Sequence, residues 1–307
     1  MLLVHRLITA FTCLLLLPVA LAQPMKVYLL CVEEADSMWT EKGQFASSFK
    51  RLLSELDLNI DVEVVRSVGD WGRLVGEGVE GVILVNAHGE LVPIPSEYGG
   101  DWKAFYSKLA ELVREKGWVV VNVAGYGFYY IGNIEVEEVG VRRTIGDVGL
   151  TYFAGELGFT ATAWPLQGAS TGEVTDFGSK VFEALGLEIP DRIQVLRPIR
   201  ADIMPEWWFY EVRSENLTAY ACAAYKAGRG FLLWSGLGWQ DADLQVKTAV
   251  AMVALLLDPE LPMRPPKPRP LLTPLMLATI LFMLGTLILV SAFTLYTLRK
   301  VRASERR

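Results

Sequence analysis

Hydrophobic positions along this chain change period several times, and each change marks an element. Residues 25–32 (MKVYLLCV) form a short apolar run closed by Glu33 and Glu34, which predicts a buried first strand. Phe45, Phe49, Leu52, Leu53 and Leu56 then recur at i, i+4, i+7, i+8 and i+11. That spacing is one stripe of a 3.6-residue period and predicts a helix. Ile60 to Val68 alternates and predicts a second strand, followed by a short helix. Gly81 to Ala87 (GVILVNA) is continuously apolar, the mark of a strand covered on both faces in a parallel sheet. Trp102, Phe105, Tyr106, Leu109, Leu112 and Val113 share one face of the next helix, and Trp118 to Ala124 (WVVVNVA) predicts a fourth buried strand. This alternation predicts an α/β fold with a doubly wound, mostly parallel sheet.

The pattern weakens from Gly125 to Pro165, where loops are expected with one short helix near Val148 to Leu157. Gly172 to Leu185 predicts a helix, and Ile193 to Ile199 and Trp207 to Val212 predict strands. Tyr220 to Tyr225 and Gly230 to Ser235, joined by Lys226-Ala227-Gly228-Arg229, predict a hairpin. Asp241 to Leu257 predicts a buried helix, apolar on nearly all sides; it is too short, and carries Lys247, to span a bilayer.

The two ends are greasier than the middle. Residues 1–22 pattern as a secretory leader: Arg6, an apolar core from Leu7 to Leu21, and Ala20-Leu21-Ala22 before Gln23. An uncleaved anchor is the alternative. Leu271 to Leu298 has no charged residue. A helix rises about 1.5 Å per residue, so roughly 20 apolar residues cross a 30 Å core, and this run predicts a C-terminal transmembrane helix with the lipid bilayer as partner. Arg299, Lys300, Arg302, Arg306 and Arg307 follow it, so residues 299–307 are expected in the cytoplasm and residues 23–258 outside, a single-pass arrangement at the cell membrane. Seven prolines in 259–274 predict a stiff extended spacer, with 259–270 as linker.

Charge narrows the partners. Between the two ends lie 23 basic and 34 acidic residues, near −11, which argues against nucleic acid. Cys31 and Cys222 are far apart in apolar segments and form no disulfide framework. Asn216-Leu217-Thr218 matches a glycosylation sequon.

In an open α/β sheet, ligands bind beyond the carboxyl ends of the strands. Those ends deliver Glu33 and Glu34, then Asn86, His88, Gly89 and Glu90, then Gly125, Tyr126 and Gly127, and finally Trp234, Ser235 and Gly236. His88 in AHGE is the sharpest catalytic candidate, with Glu90 beside it, because its ordinary pKa lies near working pH. The bland alternative is a loop-capping histidine, with Gly89 supplying the turn. Glu33, Asn86, Gly89, Tyr126, Gly127, Trp234 and Ser235 are the candidate ligand-binding residues. A Ser235–His88 relay is a further alternative, although WSGLG is not the nucleophile-elbow pattern. His88 and Glu90 supply too few ligands for a zinc site, so no metal and no cofactor is expected. Trp207, Trp208 and Trp239, with the Tyr126 to Tyr130 cluster, offer flat faces to a glycan, or else pack the core.

The strand sequence, the AHG turn, the GYGFYY turn and the closing GRGFLLWSGLG before a helix resemble the class I glutamine amidotransferase-like superfamily, nearest to its ThuA-like and related domains. The resemblance covers residues 25–257 and implies a flavodoxin-like three-layer fold. Its amidotransferase members use an elbow Cys with a later His and Glu. Here no Cys occupies the turn at Gly125-Tyr126-Gly127, and no His follows His88. The expectation is therefore a membrane-anchored extracytoplasmic binding domain without that triad, with an envelope protein or a glycan as partner. A hydrolase using His88 with nearby carboxylates and a carbohydrate-binding module are the alternatives.

Overall fold

A computed structural model describes residues 26–132, 142–163, 170–214, 217–238, 240–267, 279 and 281–291. The chain divides into two compact units, Met1–Pro266 and Lys267–Arg307.

In the first unit the order is β1 (Lys26–Leu30), α1 (Lys42–Glu55), β2 (Val62–Val65), α2 (Val68–Glu77), β3 (Val82–Asn86), β4 (Leu91–Pro93), α3 (Trp102–Lys116) and β5 (Val119–Asn122). There follow β6 (Tyr130–Gly132), β7 (Arg142–Thr144), α4 (Asp147–Leu157), β8 (Ala161–Ala163), β9 (Ser170–Val174), α5 (Asp176–Leu185) and β10 (Arg192–Val195). The unit closes with β11 (Ile199–Ala201), β12 (Trp207–Ser214), β13 (Leu217–Ala227), β14 (Gly230–Trp234) and α6 (Ala242–Leu257).

The main sheet runs β10-β9-β12-β13-β14-β5-β3-β1-β2, with β11 and β8 attached through β13. Its second half, from β14 to β2, is parallel and has the strand order of flavodoxin-like folds. Its first half is antiparallel, built outward from the β13–β14 hairpin. The elements form where the periodicity expects them because burial agrees with it. Phe45, Phe49 and Leu53 of α1 are buried in one core layer, together with α5 and α6. Trp71 and Leu74 of α2, Phe105 and Leu109 of α3, and Phe153 of α4 pack the opposite layer. Helices thus cover both faces of the sheet. Local signals set their ends: Ser67 Oγ accepts the Asp70 N–H to start α2, and Gly78 ends it in the left-handed region that glycine tolerates.

Several expectations need correction. The short strands β4, β6, β7 and β8 are not expected from the sequence, because three-residue strands carry no period of their own; β4, β6 and β7 form a separate small sheet. The stretch expected to be helix from Gly172 starts as strand β9, since pairing with β10 and β12 outweighs local preference, and Thr175 caps α5 only afterwards. Ile193 to Ile199 is two strands rather than one. The expected extended spacer opens on a 3-10 turn, Leu261–Met263.

The second unit overturns the fold class as first read. No helix among the described residues is long and apolar enough to cross a membrane. The transmembrane helix expected over Leu271 to Leu298 is therefore not found among the described residues, and the fold is mixed α/β. The leader at 1–22, the sequon asparagine at 216, Trp239, residues 268–270, the remainder of 271–298 and the basic tail lie outside the described residues.

Candidate functional site

The carboxyl edge of the parallel strands is built from two loops locked together. The loop after β1 and the turn after β3 meet through main chain: Met38 N–H donates to the His88 carbonyl at 2.9 Å, and Glu90 N–H to the Met38 carbonyl at 3.0 Å. The approach is so close that a Cβ on Gly89, whose φ is +69°, would lie 2.0 Å from the Met38 oxygen. Thr40 Oγ1 donates to the Ala87 carbonyl at 2.5 Å. Lys42 Nζ donates to three carbonyls of the same loop, those of Val32, Glu33 and Ala35.

His88 sits inside this clamp with no exposed surface. Nε2 accepts the Val32 N–H at 2.9 Å, so the ring proton is on Nδ1, which donates to the Asp36 carbonyl at 2.6 Å. Burial is the main cause that lowers its pKa from 6.5 to about 4. The imidazole is neutral and both nitrogens are used, which is the bonding pattern of a loop-capping histidine. A general base needs a nitrogen within reach of a substrate proton, and here none is free.

Asn86 serves the same turn. Its Nδ2 donates to the Gly89 and Leu91 carbonyls, and its Oδ1 accepts the His88 N–H. Glu90 is 4% exposed and turns toward the next loop, where it accepts the Tyr126 N–H at 2.6 Å. Burial pushes its carboxyl up from 4.5 to about 7, against that hydrogen bond and the charge of nearby Arg197. Gly125 (φ +59°) leaves the space Glu90 needs, because a Cβ there would lie 2.4 Å from Oε1. Gly127 does the same for Asn122, whose Cγ would be 2.6 Å from an added Cβ. The Gly125-Tyr126-Gly127 turn is thus a cover over two buried polar side chains. It leads into strand β6, not into a helix, and the residue that departs to positive φ beside Gly125 is Phe128 at 68° rather than Tyr126. Tyr126 is buried, its ring edge-on to Trp234 at 6.2 Å, and burial pushes its phenol up to about 12.

The remaining candidates do not join this cluster as a site. Trp234 is core, with Nε1 donating to the Arg197 carbonyl at 2.7 Å. Ser235 is buried, and its hydroxyl accepts the Leu237 N–H at 3.2 Å; among the described residues no hydrogen bond joins it to His88. Glu33 and Glu34 face solvent, and Glu33 meets Arg66 at 3.5 Å. Trp207 stacks on Phe209 in one core layer while Trp208 packs on Tyr220 in the other, so they present no common platform. Cys31 and Cys222 are free, buried thiols. Among the described residues no group of three or more His, Cys, Asp or Glu side chains converges as metal ligands.

An open groove of about 590 Å³ lies beside the clamp, between α1 and α6. Trp39, Gln44, Ser48, Arg51 and Lys247 are among its walls. Trp39 has φ 69°, a costly backbone state for a bulky residue. It is held there by Gln245 Nε2, which donates to its carbonyl at 3.0 Å, and Arg197 lies over its ring at 5.9 Å. Sequence reasoning passed over Trp39, Lys42, Asn122 and Arg197. Trp39 stands in a polar loop with no period, and Lys42 opens α1 ahead of its apolar stripe. Asn122 was read only as part of an apolar strand, although an Asn inside VVVNVA was the available signal.

No family model matches the chain. No curated protein matches it either. Among solved structures, a protein from Bacteroides uniformis described as ThuA-like is similar over 76% of this chain and 93% of that chain, at 13% sequence identity and a TM-score of 0.36.

Proposed function

We propose that this chain is a binding domain whose ligand occupies the α1/α6 groove, and that the strand ends which suggested catalysis serve to shape that groove's rim. One observation carries the reading: His88, Asn86 and Glu90 are bonded into loop clamps, His88 completely so, while an open groove lies next to them beside a strained Trp39. A cavity of about 590 Å³ is in the size range of small-molecule sites, roughly 300–1,000 Å³. Its walls combine the Trp39 ring with Gln44, Ser48 and Arg51, which suits a polar ligand with one flat apolar face. An extracytoplasmic address belongs to the same reading and rests on the leader pattern of residues 1–22.

Two measurements test this. Hydrogen exchange of the full chain against a panel of oligosaccharides and peptides should protect amides within 37–55 and 242–247, with protection reduced in Trp39→Ala. Ester, amide and glycoside substrates should not be turned over. A hydrolytic activity lost in a folded His88→Gln variant would defeat the proposal, as would a ligand footprint confined to another face. Protease added to intact cells should reach the domain.

A further inference from the structure

Beneath the Gly125-Tyr126-Gly127 turn lies an amide that the chain itself leaves unanswered. Asn122, the last residue of β5, is 2% exposed, and neither its Nδ2 nor its Oδ1 has a hydrogen-bond partner. Its register mate on the neighbouring parallel strand is Asn86, 4% exposed, whose Nδ2 is fully committed but whose Oδ1 accepts only one N–H, leaving a lone pair. Both line a small cavity of about 10 Å³. Leu30, Leu84, Val92 and Phe128 are among its apolar walls, and Asn86 and Asn122 are its polar ones.

The magnitudes decide what belongs there. A buried polar group without a partner costs about 1–3 kcal/mol, and Asn122 presents both a donor and an acceptor. A single water needs about 10–15 Å³ of such space and two to four polar partners. We propose that this cavity is a water-binding site, occupied by one internal water that bridges β3 and β5. The water donates to Asn122 Oδ1 and to the second lone pair of Asn86 Oδ1, and it accepts from Asn122 Nδ2. The volume excludes any organic ligand. A metal cation is excluded because no carboxylate lines the cavity and the Asn122 amide hydrogens would face it. Gly127 leaves room for the Asn122 amide, since a Cβ there would lie 2.6 Å from its Cγ. The bridge stands where the two strands end and the Asn86–Glu90 and Gly125–Gly127 turns begin, so it braces the base of both.

A high-resolution crystal structure of the full chain tests this directly. It should show one ordered water within hydrogen-bond distance of the Asn122 amide and of Asn86 Oδ1. A dry cavity, or an Asn122 amide turned onto a protein group, overturns the proposal. Oxygen-17 relaxation dispersion gives a second measurement: Asn122→Leu, which fills the cavity, should lower the number of long-lived internal waters by one. An unchanged number in a folded variant would count against the site. If that variant does not fold, the wild-type density decides alone.

Discussion

At the scale of single residues, His88 and Glu90 carry opposite charge linkages only two positions apart. The His88 imidazole is held down from 6.5 to about 4 by burial, so the unfolded chain binds that proton more tightly. Its contribution to stability is complete above pH 6.5 and is lost as pH falls through 4. The Glu90 carboxyl is pushed up from 4.5 to about 7, so the folded chain holds its proton more tightly. That contribution is complete below pH 4.5 and is lost as pH rises through 7. Between pH 4.5 and 6.5 the two slopes oppose each other. Glu90→Gln should remove one of them while keeping an acceptor for the Tyr126 N–H. Urea titrations should then find the variant gaining on wild type by about 3 kcal/mol between pH 4.5 and 7. A difference that stays constant over that range would contradict the burial of an ionisable group at 90.

At the scale of elements, the turn after β5 shows what the sequence could and could not disclose. GYG after an apolar strand reads as a tight turn, and a tight turn is found. Its purpose was not legible, because the polar groups it covers, Glu90 and Asn122, come from 36 and 5 residues away from Tyr126 and Gly127 respectively and meet them only in three dimensions. The same limit explains His88: its partners, the Val32 N–H and the Asp36 carbonyl, are main-chain atoms that no side-chain pattern announces. By contrast α1 and α3 are legible from the period of the face each buries, and β1, β3, β5 and α6 from apolar runs that match burial on both sides. Gly127 has no positive φ, so Gly127→Ala tests crowding alone. It should cost about 2 kcal/mol or more through overlap with Asn122. Adding Asn122→Ala should recover at least about 1 kcal/mol in a double-mutant cycle. Strict additivity of the two changes would mean that the turn does not rest on that amide.

At the scale of the whole molecule, the sheet has a parallel half packed between helices and an antiparallel half grown from a hairpin. The central strands β3, β5 and β14 are paired on both sides and buried, while β2 and β10 end the order. Native-state hydrogen exchange should therefore find the slowest amides in β3, β5 and β14, with β10 and β2 opening at lower free energy. Faster exchange in β3 than in β10 would not fit this architecture. The ammonium of Lys42 offers a way to watch one local opening separately. Half-buried and bonded to three carbonyls, it is shielded from an amine-reactive reagent until the β1 loop releases it. Exposed Lys103 serves as the internal clock. The ratio of labelling at the two lysines, read by mass spectrometry, should thus report how often the rim of the groove comes undone, and occupancy of the groove should slow the Lys42 signal alone.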